Sequence, residues 1–410
     1  IVDEYQTPAI VYDSHEIYRN TKRMMEAFSY STVYFAMKAL PLKDAAATAY
    51  QAGAGVDVCS LGELELAKRA GIPGANILFH GNNKSLAELQ EAVDYGVEYI
   101  VCDGVEELHE LSAVCQNRNR DAKVLLRVKV NVHSQTHKNI ATAHHDQKFG
   151  LADDDSPTGL NEAAKTCRSL PRIKLVGLHS HIGSQILAPS DFLDGVKALT
   201  DLYMAIRKVH SDELSILDIG GGFGVSYVQS DDSLDIDKLA ADIYELVTAQ
   251  CASNGIQIPQ IFVEPGRIIA SSSCVTLYEV GRVKPLVDNP TYVAVDGGMS
   301  DNIRTALYDA NYSALLANRV SSEALTPCRL VGKHCDAGDV IVREVQLPQD
   351  IKKGDLIAVP NTGAYCRSLA NNYNLVPKPP VIKVSLEDVL LLQRRESISD
   401  LFNLDIEEDS

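Results

Sequence analysis

One pattern recurs from Val33 onward: a short run of apolar and β-branched residues, a break at a small or polar residue, then a longer stretch with apolar positions every three to four residues. Short apolar runs bounded by turn residues read as buried strands, and the longer period reads as amphipathic helix. Strands are expected at VYFAMKA from Val33, VDVCS from Val56, ILFHG from Ile77, YIVCD from Tyr99, VLLRVKV from Val124, LVGLHSHIG from Leu175, ILDIGGG from Ile216 and QIFVEPG from Gln260. Helices are expected between them, as in LGELELAKRAG from Leu61, SLAELQEAVDYG from Ser85 and LDIDKLAADIYELVTAQ from Leu234, several ending at a glycine or asparagine stop. Eight β/α units in about 260 residues predict an α/β chain built as a (β/α)8 TIM-type barrel, whose active site stands at the C-terminal ends of the strands. Lys38, His80, His181, the glycines from Gly220 and Glu264 each fall at such an end.

Beyond Ser272 the pattern changes to short strands and turns: TLYEVGRVKP, TYVAVDGG, DVIVREVQLP, GDLIAVPNTGAY and PPVIKVS. These predict a second, all-β barrel or sandwich domain. The expected division is a barrel over residues 12–272 and a β domain made of 1–11 plus 273–410. The polar, aperiodic stretch from His133 to Leu151 reads as a long barrel loop near the active site. Its histidines, His133, His137, His144 and His145, fit no standard zinc spacing, so no metal is expected. The acidic tail DIEEDS reads as a solvated terminus.

Composition narrows the function. With 410 residues, 45% of them hydrophobic and 23% charged, the chain can bury a large core. A net charge of −17 argues against nucleic acid or an anionic membrane as partner, because both reward clustered Lys and Arg. Nine cysteines without a CxxC pair suit free thiols in a reducing compartment, and no apolar run approaches membrane-spanning length. The first thirty residues carry scattered acids rather than a signal-peptide pattern, so a cytoplasmic address is expected. A first residue of Ile1 rather than Met leaves room for a longer natural N-terminus.

Lys38 closes an apolar strand, where an ammonium either reaches solvent or serves as an amine of lowered pKa. Its matched position in a repeated unit favours a Schiff-base lysine holding an aldehyde cofactor. Gly220, Gly221 and Gly222 after ILDI offer backbone amides unobstructed by a Cβ, as phosphate binding requires, although a tight turn would need the same residues. HIGSQ adds the Ser184 hydroxyl for a phosphate and the His181 imidazole for a flat ring. In EPGR, with Gly266 and Arg267, Glu264 can keep a pyridine nitrogen protonated; the structural alternative is an ion pair between Glu264 and Arg267. A protonated pyridine is a strong electron sink.

YFAMKAL, GAGVDVCSLGEL from Gly53, FHGNNKS from Phe79, HIGSQ, DIGGGFG, VEPGR, DGGMSDNIRTALYDA from Asp296, CDAGD from Cys335 and GAYCRSL from Gly363 together strongly resemble the diaminopimelate decarboxylases. These belong to the barrel-type pyridoxal-phosphate decarboxylases, alongside the ornithine and arginine enzymes. The likeness runs from about Tyr5 to LLQRRES near Ser397. It implies pyridoxal 5′-phosphate joined to Lys38, His181 against its ring, Glu264 at its nitrogen, and Ser184, Gly222, Arg267 and Tyr365 around its phosphate. Arg267, Arg304, Tyr308, Asp336 and Tyr365 would line the substrate pocket. Cys335 would be the proton donor, supplied across a head-to-tail homodimer with shared sites.

The implied reaction is decarboxylation of meso-2,6-diaminopimelate to L-lysine, the last step of bacterial lysine biosynthesis. Such a substrate has a distal carboxylate and a distal ammonium, and Arg304 suits the first by bidentate contact. Asp336 stands where the family more often has Glu, and LANNYN from Leu369 departs from the usual methionine and serine pattern. The alternative is a related decarboxylase of the ornithine, arginine or carboxynorspermidine type. A catalytically silent relative is disfavoured by the presence of both Lys38 and Cys335, and a racemase by the strong sink Glu264 supplies.

Overall fold

The computed structural model describes residues 1–130, 148–209, 214–385 and 388–406. His133, His137, His144 and His145, and with them most of the expected long loop, lie outside the described residues. The chain divides into two compact units. One comprises Tyr18–Val225 and Asp232–Ile269; the other comprises Ile1–Ile17, Ser226–Asp231 and Ala270–Ser410.

Strand β1 (Ala9–Asp13) precedes eight parallel strands: β2 (Ser31–Ala36), β3 (Gly55–Val58), β4 (Ile77–Phe79), β5 (Tyr99–Cys102), β6 (Ala122–Arg127), β7 (Ile173–His179), β8 (Ile216–Asp218) and β9 (Gln260–Val263). They pair in sequence order, and β2 returns to β9 through Ser31–Ile261 and Val33–Val263, so the barrel is closed. Each coincides with an apolar run expected from the sequence. Tyr34, Leu78, Val101, Leu125, Ile216 and Phe262, from six of the strands, form one buried cluster with Tyr99 and Val176 packed against it. Rings of Tyr34 and Tyr99 lie 5.2 and 5.3 Å from that of Phe262.

The expected helices form at Leu61–Arg69, Leu86–Tyr95 and Ile236–Ser253, each with a polar side chain satisfying the first-turn amides. Ser60 and Asp235 accept from the amides of Glu63 and Lys238, and Ser85 forms a reciprocal capping box with Glu88. Gly96 ends its helix at φ +74°, a left-handed turn that costs glycine little.

Lys84, just beyond β4, is bound into this frame. Its Nζ donates to Glu107 Oε1 at 2.6 Å, to the Val101 carbonyl at 2.6 Å and to the Gly81 carbonyl at 2.9 Å, which uses all its N–H groups. The side chain is buried and Glu107 nearly so. Lys84→Met strands that carboxylate and is expected to cost about 3–5 kcal/mol, a fall in Tm of roughly 10 °C. A melt followed by circular dichroism checks it, and an unmoved Tm refutes the pair's structural role.

The second unit is mostly β. Its main path runs β14 (Val340–Pro348), β13 (Leu325–Val331), β11 (Asn289–Val295), β10 (Cys274–Leu286), β1, β16 (Val381–Val384) and β17 (Val389–Gln393). β15 (Leu356–Pro360) pairs with β10 and with the short β12 (Leu315–Leu316). Strand β1 pairs antiparallel with β10 and parallel with β16. The five β segments expected beyond Ser272 are all present. The strand least visible beforehand is β13, because Pro327 interrupts it. That proline costs no ladder bond toward β11, whose pairing starts one residue later at Thr291–Cys328.

Candidate active site

The strand ends of the barrel gather a buried set of titratable groups. His80 follows β4, His179 ends β7, Asp218 ends β8 and Glu264 follows β9. One nitrogen or oxygen of each lies within 4.8 Å of the others, and all four side chains are buried. His80 Nε2 is hydrogen-bonded to Glu264 Oε1 at 2.5 Å, and His179 Nε2 stands 3.5 Å from Glu264 Oε2. Asp57, on β3, adds a third acid, 3.9 Å from His80.

These groups cannot all be charged in so dry a place. Burial alone would raise Glu264, but His80 and His179 overcome it and hold this carboxyl well below its ordinary range. Burial, then the charge of Glu264, pushes Asp218 well above the carboxylate range. Asp57 rises to about 6 through burial, with His80 pulling the other way. Burial lowers His179 to about 3, leaving it neutral. Glu264 is therefore ionised throughout the neutral range, Asp57 joins it above about pH 6, and Asp218 stays protonated.

Lys38 sits in the short 3-10 turn Met37–Ala39 directly after β2, exposed between two buried neighbours. Its charge reaches the cluster, helping to lower both Asp57 and His181. His181, two residues past β7, is lowered first by burial and then by Lys38. The neutral ring accepts from the Gly221 amide at Nδ1, 3.2 Å away, which puts its proton on Nε2.

The glycine turn is shaped by close approach. Gly220 and Gly222 take φ values of +68° and +106°, and a Cβ on Gly221 or Gly222 would strike the carbonyl of Glu264 or Gly183. The Gly220 amide donates to Asp218 Oδ1 and the Gly221 amide to His181, so Gly222 is the amide this turn offers a ligand. Arg267 Nη2 donates to Ser184 Oγ at 2.8 Å, bringing the HIGSQ and EPGR motifs together. Arg267 is not paired with Glu264, whose partners are the histidines. Gly266 packs against Ala36 and Ala39, where a Cβ would stand 3.1 Å from that of Ala36.

These residues fit pyridoxal phosphate. Both ring nitrogens of His179, Asp57 Oδ2 and Asp218 Oδ2 are buried without hydrogen-bond partners, an unusual concentration of unmet polar atoms. They surround an ionised acid suited to a pyridine nitrogen, while Ser184, Arg267 and Gly222 form a cationic, Cβ-free corner suited to a phosphate.

In the other unit, Arg304 is buried and bonded to Tyr227 and Tyr312. Tyr308 is exposed at the end of the short helix Arg304–Tyr308. Tyr365 takes φ +67°, and its ring centroid lies 5.9 Å from the Arg304 guanidinium carbon. Cys335 and Asp336 are exposed in the turn between β13 and β14. The LANNYN segment holds that turn: Asn374 Oδ1 accepts from the Cys335 amide at 3.1 Å, and the Tyr373 hydroxyl donates to Asp336 Oδ2 at 3.2 Å.

The family description "Pyridoxal-dependent decarboxylase, pyridoxal binding domain" matches residues 14–271. A diaminopimelate decarboxylase of Mycobacterium leprae is 41% identical over 99% of this chain and 88% of that relative, and one of Bacillus subtilis is 37% identical over 99% and 93%. The chain belongs to the diaminopimelate decarboxylase family. Among solved structures, the diaminopimelate decarboxylase of M. jannaschii superposes with a TM-score of 0.92 at 28% identity, covering 100% of this chain and 94% of that one. The diaminopimelate decarboxylase of Helicobacter pylori, complexed with L-lysine, gives 0.88 at 27%, covering 98% of each chain.

Three titratable residues in or near this decarboxylase's buried cluster escaped the sequence reading. His179 lies two residues before His181 in LHSHIG and was overshadowed by it. Asp218 reads as an ordinary residue before a glycine turn. Arg127 ends β6 as Lys38 follows β2, and that parallel was the available signal. Its guanidinium lies 4.3 Å from the Phe149 ring centroid, and its charge acts on His179 and His181. Glu63, by contrast, is a cap: Oε2 accepts from the Cys59 amide at 2.8 Å.

Proposed function

We propose that this chain decarboxylates meso-2,6-diaminopimelate to L-lysine, with pyridoxal phosphate held at the barrel's strand ends. The observation that carries the substrate choice is Arg304, a buried guanidinium with no carboxylate partner among the described residues. A buried cation without an acid is costly, and a substrate carboxylate would relieve that cost. Ornithine and arginine have no distal carboxylate to offer.

Each side chain then takes a part. Lys38 would hold the cofactor through its amine. Glu264 keeps a proton on the ring nitrogen, with His80 holding its carboxylate in place. His181, neutral and oriented by the Gly221 amide, lies against the ring. Ser184, Arg267, Gly222 and Tyr365 bind the phosphate, and Gly220, Gly221 and Gly266 let the backbone close around it. When bound, pyridoxal phosphate supplies the electron sink for the pair left at Cα as carbon dioxide departs. Arg304 takes the distal carboxylate, Asp336 the distal ammonium, and Arg267, Tyr308 and Tyr365 complete the pocket. Cys335 delivers the proton to Cα.

The exposure of Cys335 and Asp336 supports a homodimer in which this turn serves the partner's site. Cytoplasmic residence is supported by nine free cysteines. No helix among the described residues is long and apolar enough to cross a membrane.

Carbon dioxide release from diaminopimelate, ornithine and arginine, with cofactor added and omitted, tests the reading. Turnover of diaminopimelate is expected to exceed the others at least ~100-fold, since a site with a buried group for one substrate's polar end rejects analogues lacking it. Faster turnover of ornithine would overturn it.

A further inference from the structure

Arg304 opens the helix Arg304–Tyr308 and is only 5% exposed. Its polar neighbours are phenols. One nitrogen, Nη1, donates to the Tyr227 hydroxyl at 2.9 Å and to the Tyr312 hydroxyl at 2.7 Å. The guanidinium carbon lies 5.2 and 5.8 Å from the centroids of those two rings, which meet edge to face at 70°. Both phenols are themselves held. Tyr312 shares a hydrogen bond with Cys366 Sγ at 3.4 Å, and the turn carrying Tyr227 is closed by Asp231, whose Oδ2 accepts from the amides of Tyr227 and Val228.

A terminal guanidinium nitrogen carries two N–H groups, so the two phenols use up Nη1. The end-on fork, which pairs Nη1 with Nη2, is thereby closed to a ligand. What is left is the side edge, Nε with Nη2, two parallel donors that no described residue engages. Tyr312 does not cancel the charge, since burial holds its phenol well above its ordinary range and therefore neutral. The arrangement is a fixed cation with one open face.

We propose that Tyr227 and Tyr312 are positioning residues for substrate selection: by occupying Nη1 they present the Nε–Nη2 edge of Arg304, and the substrate's distal carboxylate binds that edge side-on. This rests on the role given to Arg304 above and names the residues that set its orientation. Neither tyrosine touches the reacting carbon, so their loss should weaken binding of molecules with that carboxylate while sparing the chemical step. L-lysine keeps the distal carboxylate of diaminopimelate; 1,5-diaminopentane, of the same length between its amines, does not.

The test compares Tyr227→Phe and Tyr312→Phe with the unaltered holoenzyme. Each variant should raise KM for diaminopimelate and the inhibition constant of L-lysine about tenfold, the scale of one hydrogen bond to a charged group. Inhibition by 1,5-diaminopentane should stay within about twofold and kcat within about threefold on the same scale. Equal weakening of both inhibitors, or a fall in kcat at constant KM, would overturn the assignment, as would unchanged constants throughout. Should Tyr312→Phe fail to fold, Tyr227→Phe carries the same comparison. An unaltered enzyme that ignores diaminopimelate would instead defeat the proposed function.

Discussion

Lys38→Ala is expected to lose the visible absorbance of lysine-bound cofactor and at least ~10³-fold in turnover, because the covalent tether also sets where substrate meets the ring. In the turn Met37–Ala39 the flanking residues are buried in the barrel and Lys38 alone is exposed. Removing an exposed side chain from such a turn should barely move the melting temperature. Loss of the absorbance band without loss of fold is therefore the decisive pairing. An unaltered spectrum in a folded variant would remove the Schiff-base assignment and with it most of the proposed mechanism.

Glu264→Gln should bind cofactor, keep its fold and lose about 10²–10³-fold in kcat, the scale expected when a preorganised charge is removed from a dry site. The replacement keeps the size and a hydrogen-bonding oxygen for His80 but removes the negative charge that keeps a ring proton in place. The charge on Asp218 cannot readily substitute, since burial disfavours its ionised form. A spectral shift of the bound cofactor should accompany the fall in rate. A kcat within threefold of the unaltered enzyme would show that ring protonation does not limit the reaction.

The barrel was legible because its signal is local. Eight apolar runs alternate with amphipathic stretches, and the polar residue closing each run had nowhere to go but the mouth of the barrel. Lys38, His181 and Glu264 could be singled out that way. What escaped was cooperative in space. His179, Asp218 and Arg127 lie at three different strand ends, and their meaning comes from sharing one desolvated volume with Glu264. No spacing in the sequence encodes that. The phenol clamp on Arg304 was hidden for the same reason: Tyr227 lies 77 residues before it, in a turn with no sequence hallmark. EPGR also left open a pairing of Glu264 with Arg267. The structure decides against it, giving Glu264 to the histidines and Arg267 to Ser184.

Strand β1 lies between β10 and β16, so residues 9–13 are bordered by partners about 265 and 370 positions downstream. During synthesis β1 must wait, unpaired, until β10 has emerged, and with one open edge until β16 has, while most of the barrel's strands can meet a neighbour soon after they appear. Strand β1 is thus a seam completed late, and a ribosome that stops short of Val381 releases a molecule in which β1 has gained at most one of its two flanking partners.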